Sequence, residues 1–167
     1  MVVVSLVIET QKQNKKNTTM SYSEEMGKKL NDLLEKNYDA EAGYKNAAEK
    51  VANASLKNYL LSRAQDRYDF GHELKAELKT FGQDPEKGTS LAGDAHRLWM
   101  DLKTAISSDK DEAVLEETIR GENAALEEYE EILNDSTLPA STKAIISKQR
   151  NSLKSALEDA KELEVLA

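Results

Sequence analysis

The stretch Tyr38–Glu49, YDAEAGYKNAAE, decides the fold, because it continues a long helical pattern and places a carboxylate on its apolar face. Apolar residues recur every three or four positions through this stretch and its flanks, which is the spacing of an amphipathic α-helix. Glu41 falls on the apolar side of that helix. A carboxylate in such a position is typical of a metal centre, an internal ion pair or a hydrated groove. The function assigned to the chain depends on which of these applies.

The composition favours one helical domain and excludes several functions. A chain of 167 residues with only two prolines and seven glycines is long enough for one sizeable core and favours helix nearly throughout. The net charge of -8 argues against binding to a nucleic-acid backbone, which requires a basic face. The absence of cysteine excludes disulfides, thiolate metal sites and cysteine nucleophiles.

The N-terminal segment, MVVVSLVIETQKQNKKNTTM, is predicted to lie outside the folded domain. Its apolar run, Val2 to Ile8, is shorter than the roughly 20 residues that cross a bilayer. It also lacks the basic start and the small-residue cleavage site of a secretory signal. We therefore expect residues 1–20 to be a disordered or non-native extension, with Met20 as the candidate natural start. Residues 21–167 are expected to form one cytoplasmic domain without membrane contact.

Four long amphipathic helices and one short helix account for most of the chain. The first is predicted to begin at the capping box Ser21–Glu24, and the second to end at Gly82, a common helix stop. The predicted helices cover residues 22–52, 56–81, 91–106, 112–134 and 140–163. Apolar seams on four long helices of similar length are typical of an all-α four-helix bundle made of two hairpins. The short helix lies in the connection between the second and third long helices.

Polar residues interrupt the apolar seam of each long helix near its middle, and we call them the polar layer. Its members are Asn37, Glu41, Arg67, Thr118, Glu122, Gln149 and Ser152. Glu41 lies about as far before the first turn as Arg67 lies after it, so an antiparallel hairpin is predicted to bring these two together. The same counting from the second turn places Glu122 near Gln149 and Ser152.

Carboxylates at the centre of a four-helix bundle suggest a di-iron or di-manganese centre. Such a centre takes one Glu from each of two helices and Glu-x-x-His from each of the other two. Glu41 and Glu122 meet the first requirement and are the candidate metal ligands. The other two helices offer Ala64-x-x-Arg67 and Gln149-x-x-Ser152 instead. The arginine would also place a fixed positive charge where cations should bind.

The two histidines of the chain do not supply the missing metal ligands. Asp69 and His72 form a carboxylate-x-x-His motif, but they point roughly 140° to 160° away from Arg67 at 100° per residue, onto the predicted solvent face. His96 is predicted to be a surface or packing residue. The polar layer is therefore interpreted most simply as an internal hydrogen-bonded ion-pair network. The buried hydroxyls of two core tyrosines are predicted to join it, namely those of Tyr44 and Tyr129.

Four segments of the chain resemble a known family. They are LNDLLEKNYDAEAGYKNAAE, LLSRAQDRYDFGHELKAEL, AGDAHRLWMDLKTAI and EETIRGENAALEEYEE. Together they resemble a family of uncharacterised bacterial four-helix-bundle proteins that is assigned to the ferritin-like superfamily and carries a domain-of-unknown-function label. The resemblance covers about Leu30 to Leu163 and implies a ferritin-like bundle without an established activity. Of the superfamily's metal ligands, only those at Glu41 and Glu122 carry over.

The leading hypothesis is a non-catalytic, cytoplasmic bundle that acts as a structural or interaction module and needs no cofactor. Two further points of this hypothesis are to be tested, namely that the protein forms a homodimer and that it is associated with cellular stress. Nucleic acid is not an expected partner. The alternative is a divergent metal-binding oxidase or iron-handling protein that uses Glu41 and Glu122 to hold iron or manganese. A third hypothesis is a small-molecule pocket between the helices around the alanine-rich layer.

Overall fold

The chain forms five helices in the part that the structure describes. In a computed structural model, the described backbone covers residues 2–86, 94–108 and 110–166, and side chains are described at 22–86, 100–108 and 110–164. Within these ranges the chain is all-helical, without strands. The helices are α1 (Val2–Lys50), α2 (Ala54–Thr80), α3 (Asp94–Ser107), α4 (Asp111–Leu133) and α5 (Ala140–Leu166). None of the described helices combines the length and the apolar character needed to cross a bilayer.

The apolar seams pack into two core clusters. Helix α1 packs along α2 and α4 packs along α5, while α3 contacts both α1 and α4 and α2 contacts α5. One cluster, near the turn between α1 and α2, includes Tyr44, Leu60, Leu102, Leu115 and Ala160. The other includes Leu34, Leu74, Tyr129, Ile146 and Leu153. Most of the polar layer lies between these two clusters and therefore in the middle of the bundle.

Helix α2 ends as its sequence predicts. Gly82 has a φ of 66°, a left-handed conformation that glycine adopts without steric cost. The Gly82 amide donates to the Lys79 carbonyl at 3.0 Å, and the Gln83 amide donates to the Leu78 carbonyl at 3.1 Å. These two bonds form a Schellman motif, which satisfies carbonyls at the end of the helix. The predicted stop at Gly82 is confirmed.

Helix α1 begins much earlier than its sequence predicts. It starts at Val2, so the start predicted at the capping box Ser21–Glu24 is wrong. A capping box marks the start of a helix only where its first residue leaves the helical conformation. No glycine or proline stands before Gly27 to stop the helix, and residues 2–26 continue it. The division of the chain into an extension at 1–20 and a domain at 21–167 stays a prediction.

A carboxylate of α4 holds the turn between α1 and α2. The amide of Ala52 donates to Asp111 Oδ1 at 3.0 Å, and the amide of Asn53 donates to Asp111 Oδ2 at 2.6 Å. Asn53 in turn caps α2, because its side-chain oxygen accepts from the Leu56 amide at 3.0 Å. The carboxylate of Asp111, in the first turn of α4, thus binds another part of the chain. The N-cap residue of α4 itself, Lys110, makes no side-chain capping bond.

We expect Asp111→Ala to lower the free energy of unfolding by about 1–2 kcal/mol, because two backbone amides lose a charged acceptor in a solvent-accessible turn. Urea denaturation measures the loss. Asp111→Asn keeps one acceptor oxygen and should cost less. Glu112→Ala, at an exposed neighbouring position, is the matched control and should be close to neutral. Equal losses at Asp111 and Glu112 would contradict the assigned role.

Candidate functional site

A buried ion pair lies at the centre of the bundle. Arg67 on α2 donates from Nη2 to Glu122 Oε2 on α4 at 2.9 Å, and the two side chains are 4% and 0% exposed. The second carboxylate oxygen, Oε1, accepts from the Tyr44 hydroxyl of α1 at 2.6 Å. Both oxygens of Glu122 therefore have a donor. A charge removed from water in this way is tolerated only when it is paired and hydrogen-bonded.

Hydrogen bonds extend this ion pair across all four long helices. Arg67 Nη1 donates to Asn37 Oδ1 at 3.0 Å, and Asn37 Nδ2 donates to the Tyr129 hydroxyl at 3.0 Å. That hydroxyl donates to Gln149 Oε1 on α5 at 2.8 Å. Gln149 Nε2 then reaches Glu73 Oε2, a partly exposed carboxylate, at 2.9 Å. We call the chain formed by Tyr44, Glu122, Arg67, Asn37, Tyr129 and Gln149 the core network.

The electrostatics of the core network fix its charges near pH 7. Burial raises the pKa of Tyr44 well above its usual range, and the negative charge of Glu122 raises it further. Burial also raises the pKa of Tyr129 to about 12, although the charge of Arg67 acts the other way. Burial alone would lower the pKa of Arg67, but the charge and hydrogen bond of Glu122, together with the two tyrosines, outweigh it, and the pKa lies above its ordinary value. Both tyrosines therefore act as neutral donors and Arg67 stays charged.

The pairing predicted between Glu41 and Arg67 is wrong. Glu41 is partly buried, and its Oε1 accepts from Lys45 Nζ at 2.5 Å on the same helix. Arg67 contacts Asn37 instead. Residue 52 lies inside the observed turn 51–53, and it is 15 residues from Asn37 and 15 residues from Arg67 along the chain. The predicted turn, residues 53–55, is displaced by two residues, which moves the facing position on α1 by four residues. That shift is about one helical turn, so Glu41 lies beside the core network rather than in it.

The other members of the polar layer differ in their surroundings. Thr118 is buried and its hydroxyl donates to the Val114 carbonyl at 2.8 Å within α4. Ser152 is half-buried and donates to Asp66 Oδ2 at 3.3 Å. Glu122 does not bond to Gln149 or Ser152, because the Tyr129 hydroxyl binds Gln149 and Arg67 binds Glu122. The predicted roles of both tyrosine hydroxyls are confirmed.

The carboxylate-x-x-His motif of α2 lies on the surface, as predicted. Asp69 and His72 are both exposed. Asp69 accepts from Gln65 Nε2 at 3.0 Å, and His72 lies edge-on to the Tyr68 ring at 4.5 Å between ring centroids. The side chain of His96 lies outside the described residues. The predictions for Asp69 and His72 therefore hold, and the one for His96 is not tested.

The donor set around Glu122 does not fit a di-metal centre. Both Glu122 oxygens are bonded to Tyr44 and Arg67. Glu41 faces Lys45. Among the described residues, no group of three or more Asp, Glu or His side chains is arranged to hold a metal ion. Two cations would also have to lie beside a guanidinium that cannot lose its proton at usable pH.

Two acidic residues at the interface of α2 and α5 are missing from the sequence prediction. Glu73 accepts from Gln149 Nε2, and this bond together with Lys148 lowers the pKa of Glu73 against the opposing effect of partial burial. Glu77 is buried, and its Oε1 accepts from the Thr142 hydroxyl at 2.5 Å in the first turn of α5. The positive end of the helix dipole favours a carboxylate there. The sequence gives one indication of a site for Glu77: Pro139 directly precedes α5, and proline is common at the start of a helix.

Tyr129→Phe is expected to lower the free energy of unfolding by about 1–3 kcal/mol, because the Asn37 amide and the Gln149 oxygen each lose a buried partner. Thermal or urea unfolding measures the loss. Tyr68→Phe, at a position that is 47% exposed, removes the same hydroxyl from the surface and should cost much less. Similar losses in the two variants would show that the Tyr129 hydroxyl is not held as the structure places it.

The fold and the site define an all-helical protein whose interior carries an ion pair inside a hydrogen-bonded network. The model of the family described as Domain of unknown function (DUF2383) matches residues 25–135, which is more than half of the chain. The chain belongs to that family. The matched range contains Tyr44, Arg67 and Glu122 and ends before Gln149. A search of curated proteins found no significant match.

Proposed function

We propose that the protein is a non-catalytic, ferritin-like four-helix bundle that acts as a structural or interaction module. In this proposal the core network takes the place of a di-metal centre. The observation that carries it is the buried pair of Arg67 and Glu122, joined at 2.9 Å. A fixed positive charge in contact with the central carboxylate repels a second cation. In this proposal the negative charge of Glu122 balances the positive charge of Arg67 instead of that of a metal ion.

The packing of the helices supports the bundle part of this proposal. Helix α1 with α2, and α4 with α5, form two closely packed pairs, and α3 lies in the connection between them. This is the arrangement expected of two hairpins in a ferritin-like bundle. The core network bonds residues of both pairs. We infer that it fixes how the two pairs align, since a shift of either pair would leave Arg67 or Glu122 without its partner.

The metal-binding alternative requires a different arrangement of the same residues. Glu41 would have to leave Lys45, and Arg67 would have to leave Glu122, before the two carboxylates could share cations. Nothing in the described geometry favours that arrangement over the observed one. It is therefore kept as an outcome of the experiment.

Elemental analysis tests the proposal. The protein is purified without chelator from cells supplied with iron and manganese, and its metal content is measured for the wild type and for Glu41→Ala. We expect far less than one equivalent of either metal, and a melting temperature that EDTA leaves unchanged. Stoichiometric iron or manganese that is lost in Glu41→Ala would overturn the non-catalytic assignment and support the oxidase or iron-handling alternative.

The cellular context is part of the proposal as well. We propose a cytoplasmic protein that requires no cofactor, does not bind nucleic acid or membranes, and forms a homodimer. Light scattering at micromolar concentration measures the mass directly. A mass near the monomer value of 18.6 kDa would reject the homodimer and leave the structural role to contacts with other proteins.

A further inference from the structure

A groove between α1 and α4 opens onto the core network. Helix α1 packs mainly on α2 and α3, and α4 packs mainly on α5 and α3, so the seam between α1 and α4 is only partly filled. Small residues line the seam where side chains would otherwise meet, namely Ala40, Gly43, Gly121 and Ala125. The groove contains a cavity of about 80 Å³. Its walls are mostly apolar and include Leu33 and Leu102.

None of the described atoms fills the space beside Gly121. A Cβ atom added to Gly121 would meet no described atom within 4 Å. The glycine on α2, Gly71, differs, because a Cβ there would contact Leu34 and Tyr38 at 3.6 Å. Close packing between the described parts of the helices therefore does not require a glycine at residue 121. It leaves room in the groove at the residue next to Glu122.

The inner end of the groove carries polar groups with hydrogen-bonding capacity left over. Asn37, Tyr44, Arg67 and Tyr129 all line it. Each terminal nitrogen of a guanidinium carries two N–H groups. Within the described residues, Arg67 Nη1 donates to Asn37 and Nη2 donates to Glu122, which leaves a second N–H on each nitrogen. A bound acceptor oxygen at this end would satisfy one of them.

The charges around the groove disfavour an anionic ligand, and the N–H groups of Arg67 at its inner end cannot accept a hydrogen bond from a cation. The positive charge of Arg67 is balanced by Glu122. At the mouth, Lys36 Nζ lies 2.6 Å from Glu128 Oε1, and Glu117 pairs with Arg120. An anion would therefore find no uncompensated cation among these residues, and a buried ion without a partner is costly.

We propose that the groove between α1 and α4 binds a small neutral molecule with an apolar body and one carbonyl or hydroxyl oxygen, which accepts a hydrogen bond from Arg67. A dry cavity of about 150 Å³ holds a benzene molecule. The smaller cavity here holds a few heavy atoms, and the rest of the ligand extends along Leu33 and Leu102 towards the mouth. This inference goes beyond the structural role and does not depend on it.

Protein-observed NMR with 2-hexanone as the probe tests the inference. The amide signals of Gly43 and Gly121 report on the two walls of the groove, and the guanidinium signals of Arg67 report on its inner end. We expect saturable shifts of these signals with a Kd on the order of a millimolar, the range reached by ligands of about seven heavy atoms. Shifts that stay linear with concentration, or that occur elsewhere, would overturn the proposal.

Two variants and two charged probes complete the test. Gly121→Leu fills the groove and should weaken binding at least about tenfold, while Glu127→Leu adds the same side chain at an exposed position of α4 and should leave binding unchanged. Hexanoate and hexylammonium have the same number of carbon atoms as 2-hexanone but carry a charge, and they should bind much more weakly. Equal binding to wild type and Gly121→Leu would overturn the site. Equal binding of hexanoate would overturn the neutral class.

Discussion

Arg67→Ala is expected to lower the free energy of unfolding by about 3–5 kcal/mol at pH 7, because it leaves Glu122 buried without its cation. In the native protein the two side chains are joined at 2.9 Å and are almost fully buried. Truncation also removes the donor to the side-chain oxygen of Asn37. Among the described residues, the Tyr44 hydroxyl is then the hydrogen-bond donor that Glu122 keeps. Urea denaturation of both proteins measures the difference.

The dependence of this loss on pH distinguishes a stranded charge from lost packing. A buried carboxylate without a cation relieves its cost by binding a proton. The loss caused by Arg67→Ala should therefore be smaller at pH 4 than at pH 7. Arg120→Ala, at a side chain that is 54% exposed and paired with Glu117 and Asp101, is the matched control and should cost about 0–1 kcal/mol. A loss at Arg67 that is equally small would mean that water reaches the ion pair.

The helices and the identity of most polar interior residues could be predicted from the sequence. Apolar spacing of three and four residues is a local property, and it located α2, α4 and α5 closely. Local spacing also showed that Asn37, Arg67, Glu122 and Gln149 lie on apolar faces, and all four are buried. The hydroxyls of Tyr44 and Tyr129 could be assigned because a buried phenol needs a partner.

The partners of these residues could not be predicted, because pairing depends on contacts between helices. The turn between α1 and α2 lies two residues before its predicted position. For this reason the sequence predicts Glu41 as the neighbour of Arg67, whereas the structure shows Asn37. The bond between Gln149 and Glu73 joins α5 to α2, which belong to different helix pairs. The alignment of α2 with α5 cannot be read from the length of a turn, because no single turn connects these two helices. The polar character of the bundle centre was therefore predictable, while the connections within it required the structure.

Glu122→Ala is expected to cost about 3–5 kcal/mol as well, with a different dependence on pH. This substitution strands Arg67 and leaves the Tyr44 hydroxyl without its acceptor. An arginine cannot lose its proton at usable pH. Its cost should therefore persist at pH 4, where the loss caused by Arg67→Ala has become smaller. Unfolding in urea at both pH values measures the contrast, and Glu127→Ala at an exposed position of α4 is the control.

A double-mutant cycle then isolates the interaction between the two charges. If each single substitution strands the other charge, the variant that carries both Arg67→Ala and Glu122→Ala removes that penalty and should lose clearly less stability than the sum of the two single losses. The remaining loss would reflect the space left behind and the unpaired groups of Asn37 and Tyr44. Losses that add to within about 0.5 kcal/mol would mean that the two side chains act independently. The core network would then not be what aligns the two helix pairs.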